Sequence, residues 1–274
     1  MCRLPMELSL KGQVAVVVGG ASGIGLAIAK EFVREGCRVG IIDRAHQTEQ
    51  IAAEVAAAGS SASIGIVADV IDYGAVQAAA ERCADSLGAV QHIVYAAGCG
   101  SGKFGFPFWN LAPDDWDRVI RVNLLGAVHT AHTFAPSLVE QKRGTMLFIS
   151  SVAGQIGSQT DPPYSSAKAG LINFAQVAAK DLAPHNVRVN TICPGMVQTP
   201  LNRSVWQAWN DRQPADAKQT YDQWAGAKVK QMCPLGRWQT PEDIAALAVF
   251  LASERAANIT GQTMNVDGGW VMHW

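Results

Sequence analysis

Residues 13–25 read QVAVVVGGASGIG, and their order carries the fold. Val14 to Val18 form an apolar, mostly β-branched run with no polar alternation, and the run ends in Gly19, Gly20, Gly23 and Gly25. Such a run predicts a strand buried on both faces, hence part of a parallel sheet. Leu26, Ile28, Phe32 and Val33 then recur at helical spacing. The glycines therefore sit where a strand passes into a helix. A backbone without Cβ atoms turns sharply there and lets phosphate oxygens reach the N–H groups at the positive helix end. Gly19, Ser22, Gly23, Ile24 and Gly25 are accordingly the candidate phosphate cradle. The G-x-x-x-G-x-G spacing is weak evidence alone, since an ordinary tight turn uses the same residues.

The same alternation continues outward. Residues 38–43 (RVGIID), 63–68, 92–97, 145–150, 187–193 and 263–266 read as strands. Between them, residues 47–58, 73–87, 113–140 and 164–182 read as helices, and a last helix opens at Thr240-Pro241-Glu242-Asp243. There a capping threonine, a proline and first-turn acids all favour a helix start. Strands each followed by a helix predict an α/β, doubly wound parallel seven-stranded sheet with helices on both faces, Rossmann-like, whose ligands bind beyond the carboxyl strand ends. No linker or repeat divides residues 1–274, so one dinucleotide-binding and catalytic domain is expected. Residues 199–235 break the rhythm with Trp206, Trp209, Tyr221 and Trp224 among polar residues. They read as a substrate-loop insertion.

Asp43 ends the second strand, eighteen residues past Gly25. An acid there can accept hydrogen bonds from ribose hydroxyls and repel a 2′-phosphate, which favours NAD over NADP. The neighbouring Arg44 leaves NADP open.

With 22 basic and 23 acidic side chains and a net charge of −1, nothing suggests nucleic acid or an anionic membrane as partner. Cys2, Cys37, Cys83, Cys99, Cys193 and Cys233 are scattered without a CxxC pair and read as reduced thiols of a cytoplasmic protein. The opening MCRLPMELSLKG lacks the apolar core of a secretion signal. His129 and His132 lie three apart on a helix, but no acid or cysteine joins them, and no metal is expected.

The chemistry concentrates in Tyr164-Ser165-Ser166-Ala167-Lys168. On a helix the phenol and the ammonium share one face. A nearby cation stabilises phenolate, so a lysine together with a cofactor's charge is expected to lower the tyrosine pKa from about 10 towards neutrality. Such a phenol can take a proton from an alcohol or return it to a carbonyl oxygen.

With these residues, the chain resembles the short-chain dehydrogenase/reductase family, in its branch of roughly 250-residue enzymes. The resemblance runs from Leu10 to Trp270. It includes Asp69-Val70 after the third strand, Asn123 in RVNLLG, Ser151 thirteen residues before Tyr164, and Pro194-Gly195-Met196-Val197-Gln198-Thr199. Gly236-Arg237, Pro241-Glu242-Asp243 and Val266-Asp267-Gly268-Gly269 match further signatures. The resemblance implies Tyr164 as acid/base and Lys168 as ribose-binding ammonium. It implies Ser151 as holder of the reacting oxygen and Asn123 as support for a relay water. Asp69, Val70, Ala97, Gly98, Pro194, Gly195, Val197 and Thr199 would join Tyr164 and Lys168 along the cofactor. The activity implied is hydride transfer between NAD(H) and a secondary alcohol or ketone such as a polyol, sugar, hydroxyacid or cyclic alcohol, in a homotetramer. The tyrosine–lysine spacing is tighter than in enoyl reductases of this fold. An NADP-linked ketoreductase and a non-catalytic dinucleotide sensor stay open.

Three positions depart from the family pattern. Val18 replaces a threonine, Tyr95-Ala96-Ala97-Gly98 stands for N-N-A-G, and Ala167 precedes the lysine where serine is usual. The first two imply a repacked cofactor floor.

Overall fold

The computed structural model describes residues 7–59 and 61–273. The stretch read for a leader is therefore only partly covered, and Cys2 and Trp274 lie outside the described residues. The strands are β1 (Val14–Val18), β2 (Arg38–Asp43), β3 (Ser63–Val67), β4 (His92–Tyr95), β5 (Gly144–Ile149), β6 (Val187–Pro194) and β7 (Thr263–Val266). They form one sheet in the order β3-β2-β1-β4-β5-β6-β7, with every neighbouring pair parallel. The helices are α1 (Gly23–Arg34), α2 (Thr48–Ala57), α3 (Tyr73–Leu87), α4 (Asp114–Ile120), α5 (Gly126–Gln141), α6 (Ala153–Ile156), α7 (Pro162–Leu182), α8 (Pro200–Asn210), α9 (Tyr221–Met232) and α10 (Pro241–Ala252). This is the doubly wound, seven-stranded α/β fold expected from the strand–helix rhythm.

Strand β1 shows why an unbroken apolar run is required. Successive side chains point to opposite faces. Val14, Val16 and Val18 enter one core with Phe134, Leu138 and Leu171, from α5 and α7. Ala15 and Val17 enter the other with Ile28 and Phe32 of α1 and Val249 of α10. A polar residue at any of these positions would be buried without a partner. Order reverses between β1 and β4, which opens a crevice at the carboxyl ends of the central strands.

Two stretches differ from the sequence reading. Residues 113–140 are not one helix: a π-helical turn, Arg121–Leu125, interrupts them between α4 and α5. The expected loop at 199–235 is instead largely helical. Thr199 caps α8 by accepting from the Asn202 N–H, and a Thr220–Gln223 capping box starts α9. Tyr221, Trp224 and Val229 then bury against Met196 and Cys233, with Trp206, Trp209, Trp238 and Trp270 packed around them. The aromatics thus build a small core of their own, which is why a polar-looking segment holds a shape. Among the described residues no helix is long and apolar enough to cross a membrane.

Candidate active site

Over the carboxyl strand ends lies a cleft of about 1000 Å³. Its floor starts at the β1–α1 turn. Gly19 has φ +81°, and a Cβ there would collide with the Ala97 backbone. A Cβ on Gly25 would run into the Gly19 carbonyl. Ser22 makes no side-chain cap, and the first turn of α1 holds no acid. Its opening N–H groups are thus left for an anion, the arrangement a pyrophosphate needs. Asp43, at the end of β2, has its carboxylate held by the N–H groups of Ala21 (3.0 Å) and Ala45 (3.1 Å). Arg44 beside it is exposed and also lines the cleft.

Gly19, Ser22, Gly23, Ile24 and Gly25 line this cleft together with Asp43, Asp69, Val70, Ala97 and Gly98. Pro194, Gly195, Val197 and Thr199 close it from the β6 side. Tyr164, Lys168 and Ser151 face it as well. The residues present therefore fit an extended dinucleotide: an uncapped helix end for phosphates, a fixed carboxylate at the rim, and lysine and tyrosine beyond.

The reacting groups come from three elements. Helix α7 carries Tyr164 and Lys168, and its amino end is set by Pro162 and Pro163 in the first turn. Lys168 is buried and donates to the Ile149 carbonyl at 2.8 Å, at the end of β5. Burial lowers its pKa to about 8. Its Nζ lies 5.5 Å from the centre of the Tyr164 ring. In the protein alone the Tyr164 phenol is pushed above its usual 10, because loss of water outweighs the hydrogen bond with Ser151. Asp161 nearby adds to the rise. The acidified phenol expected of the lysine together with a cofactor's charge is thus not a property of the protein alone, where desolvation raises the phenol pKa.

The two adjacent serines divide their work. Ser150 Oγ donates to the Lys168 carbonyl at 2.8 Å and is buried. Ser151 is half-buried, accepts from the Ala153 N–H at 3.1 Å and bonds Tyr164. Asn123 sits in the π-helical turn, fully buried, and its Nδ2 donates to the carbonyls of Cys99 (2.7 Å) and Val119 (2.9 Å). Its Oδ1 has no partner in the protein. A Cβ on Gly98 would stand 2.9 Å from that oxygen and 3.5 Å from Lys168 Nζ, so both atoms converge on Gly98.

Tyr95 explains one departure from the family pattern. Its ring is fully buried beneath the cleft, and its hydroxyl donates to the Val122 carbonyl in the π-helical turn. A tyrosine here reaches across to a backbone group that the widened turn exposes.

Several cleft residues had no individual role in the sequence reading: Arg118, Asp161 and Trp270, Met196 within the quoted 194–199 segment, and Lys228 within the 199–235 insertion. Asp161 had a signal, since it precedes the first turn of α7, and its Oδ2 accepts from the Ser101 N–H at 2.8 Å. Lys228 stands four residues after Trp224, a helical spacing visible only once the segment is known to be helix. The aromatics Phe104, Phe106, Phe108 and Trp109, which precede α4, do not line the cleft, and the last three are exposed. The thiols of Cys99 and Cys193 are raised by burial, Cys193 to about 11, which suits packing and not nucleophilic attack. His129 and His132 are engaged with the Val70 carbonyl (2.9 Å) and the Tyr73 hydroxyl (2.6 Å). Among the described residues no three potential ligands gather around a metal position.

Comparison with known proteins agrees with this geometry. A family model described as enoyl-(acyl carrier protein) reductase matches residues 19–271. The chain is 33% identical to D-threitol dehydrogenase of Mycolicibacterium smegmatis, over 97% of this chain and 95% of the relative. It is 31% identical to D-beta-hydroxybutyrate dehydrogenase of Cupriavidus necator, over 96% and 99%. The solved structure of L-sorbose reductase from Gluconobacter frateurii, complexed with NADPH and L-sorbose, superposes with a TM-score of 0.88 at 27% identity, covering 98% of this chain and all of the other.

Proposed function

The chain belongs to the short-chain dehydrogenase/reductase family, and from that premise we propose that it moves a hydride between NAD(H) and a secondary alcohol or its ketone. The observation that carries this reading is the cleft shared by the uncapped α1 terminus, Asp43, Ser151, Tyr164 and Lys168. Relatives named for threitol, hydroxybutyrate and sorbose all interconvert a carbinol and a carbonyl.

When bound, the dinucleotide supplies the hydride acceptor or donor and, oxidised, a positive ring charge. Ser151 holds the substrate oxygen by a hydrogen bond. Tyr164 takes the hydroxyl proton during oxidation and returns it during reduction. Lys168, charged below about pH 8, stabilises the phenolate and reaches the ribose. The free Oδ1 of Asn123 accepts from a water that hands protons between Lys168 and the outside.

NAD is preferred because the Asp43 carboxylate is clamped by two N–H groups and cannot readily turn from a 2′-phosphate. Arg44 at the rim favours the second reading, an NADP-linked ketoreductase. Helices α8 and α9 form the substrate side of the cleft. The protein works in the cytoplasm, where the five described cysteines stay free, and as a homotetramer through the exposed face of α7 carrying Ala169 and Val177.

The purified protein, screened with NAD and a panel of secondary alcohols, should form NADH with one class. Tyr164→Phe should lose about 10²- to 10⁴-fold in kcat. No NADH from any class, or near-normal turnover by the phenylalanine variant, removes this reading.

A further inference from the structure

The charges around the cleft are unevenly distributed. Its acids are Asp43, Asp69 and Asp161. Asp43 ends β2 and Asp69 follows β3, both on the side of the phosphate cradle. Asp161 is nearer the reacting groups; its Oδ2 takes the Ser101 N–H, and its buried Oδ1 has no partner in the protein. The opposite wall, from α8 and α9, contributes no acid and one ammonium, Lys228.

Lys228 is half-buried, and burial lowers its pKa. Its Nζ lies 4.6 Å from the centre of the Trp224 ring, one helical turn back. Among the described residues it makes no ion pair and no hydrogen bond. The ring face attracts the charge but leaves three N–H donors without an oxygen. Trp224, only 3% exposed, has an indole N–H that also lacks an acceptor. A cation is rarely drawn into a protein wall without a counter-charge. Here the space it faces is the cleft.

Resting on the alcohol–ketone reading above, we infer that Lys228 is a specificity-determining residue that recognises an anionic head on the substrate, a carboxylate or a phosphate, while Tyr164 and Ser151 hold the carbinol at the other end. The class is therefore a secondary alcohol or ketone bearing a negative charge, in preference to a neutral polyol. The ammonium acts as a point charge and so fixes the sign of the head more than its shape.

Kinetics with NAD on hydroxy acids of increasing chain length, their methyl esters, and hydroxyalkyl phosphates test this. The expected result is a kcat/KM at least about tenfold higher for one anionic series than for the matched ester. Lys228→Met should raise KM for that substrate about tenfold or more, leave kcat within about twofold and leave the ester unchanged. Lys228→Arg should restore most of the loss. The carboxylate and phosphate arms tell the two heads apart. Equal use of acid and ester, or a Lys228→Met effect that falls equally on both, overturns the inference. A titration of the NAD-saturated protein with 3-hydroxybutyrate and with glycerol 3-phosphate, read by tryptophan fluorescence, stands apart from turnover. If no alcohol is oxidised, the functional reading fails and this titration alone decides: a saturable change abolished by Lys228→Met supports the anion site, and its absence overturns it.

Discussion

Single residues set the chemistry of this cleft through what they lack as much as through what they touch. Asn123 spends both amide hydrogens on carbonyls and keeps one oxygen free, facing Gly98 and Lys168. Tyr164 and Lys168 share a helix face, yet each is shifted by burial toward its neutral form. A cofactor's positive charge beside the phenol would act against that shift. The role proposed for Asp43 in cofactor choice belongs to the same scale. A carboxylate bonding ribose hydroxyls contributes about 1.5–3 kcal/mol, so Asp43→Ala should lower the NAD-to-NADP preference by roughly 10- to 100-fold. The ratio of kcat/KM for the two dinucleotides measures it, and an unchanged ratio would return the assignment to Arg44.

At the scale of an element, the π-helical turn Arg121–Leu125 is the most consequential piece of backbone. A π turn interrupts the regular ladder and frees a carbonyl. Tyr95 takes that of Val122, one residue before Asn123. Tyr95→Phe should therefore cost about 1–3 kcal/mol in denaturant unfolding, the penalty for an unpaired buried group. It should also lower kcat more than it raises KM, because Asn123 loses its fixed position. A variant with wild-type stability and wild-type kcat would show that the hydroxyl supports nothing. This element was illegible in the sequence: residues 113–140 have helical spacing throughout, and a widened turn alters periodicity by a single residue. Helices α8 and α9 were obscured for another reason. Their apolar residues are aromatic and pack on one another, away from the main core, so polar positions dominate the local pattern.

For the whole molecule, the sheet carries an acid-sensitive joint far from the cleft. His92 is 4% exposed, with Nε2 donating to Gln13 Oε1 and Nδ1 near Thr145 Oγ1, both at 2.8 Å. Burial, with Arg188 and Arg143 nearby, lowers its pKa to about 3. Its folded value lies below its unfolded value near 6.5, so the unfolded chain binds the extra proton first. Stability from this site is complete above about pH 6.5 and is lost as pH falls towards 3, at up to about 1.4 kcal/mol per unit. Urea unfolding at pH 7 and pH 5 should reveal the loss, and His92→Gln should flatten it. The assembly is tested at this scale too. Light scattering at micromolar concentration should give four chains, and a monomer would dispose of the α7 interface.

Local signals were enough for the fold and for most of the cleft. The unbroken Val14–Val18 run demanded burial on two faces, the glycines marked the turn, and Tyr164 with Lys168 marked one helix face. Each of these depends on residues within a few positions of one another, where spacing alone constrains geometry. Tertiary structure decided the rest. Lys168 meets Ile149, Tyr95 meets Val122, and the α9 wall brings Lys228 to the cleft, all across distances in the chain that carry no periodic trace. Desolvation, which raises the Tyr164 phenol pKa in the protein alone, depends on the packing around a group and so exists only once the chain has folded.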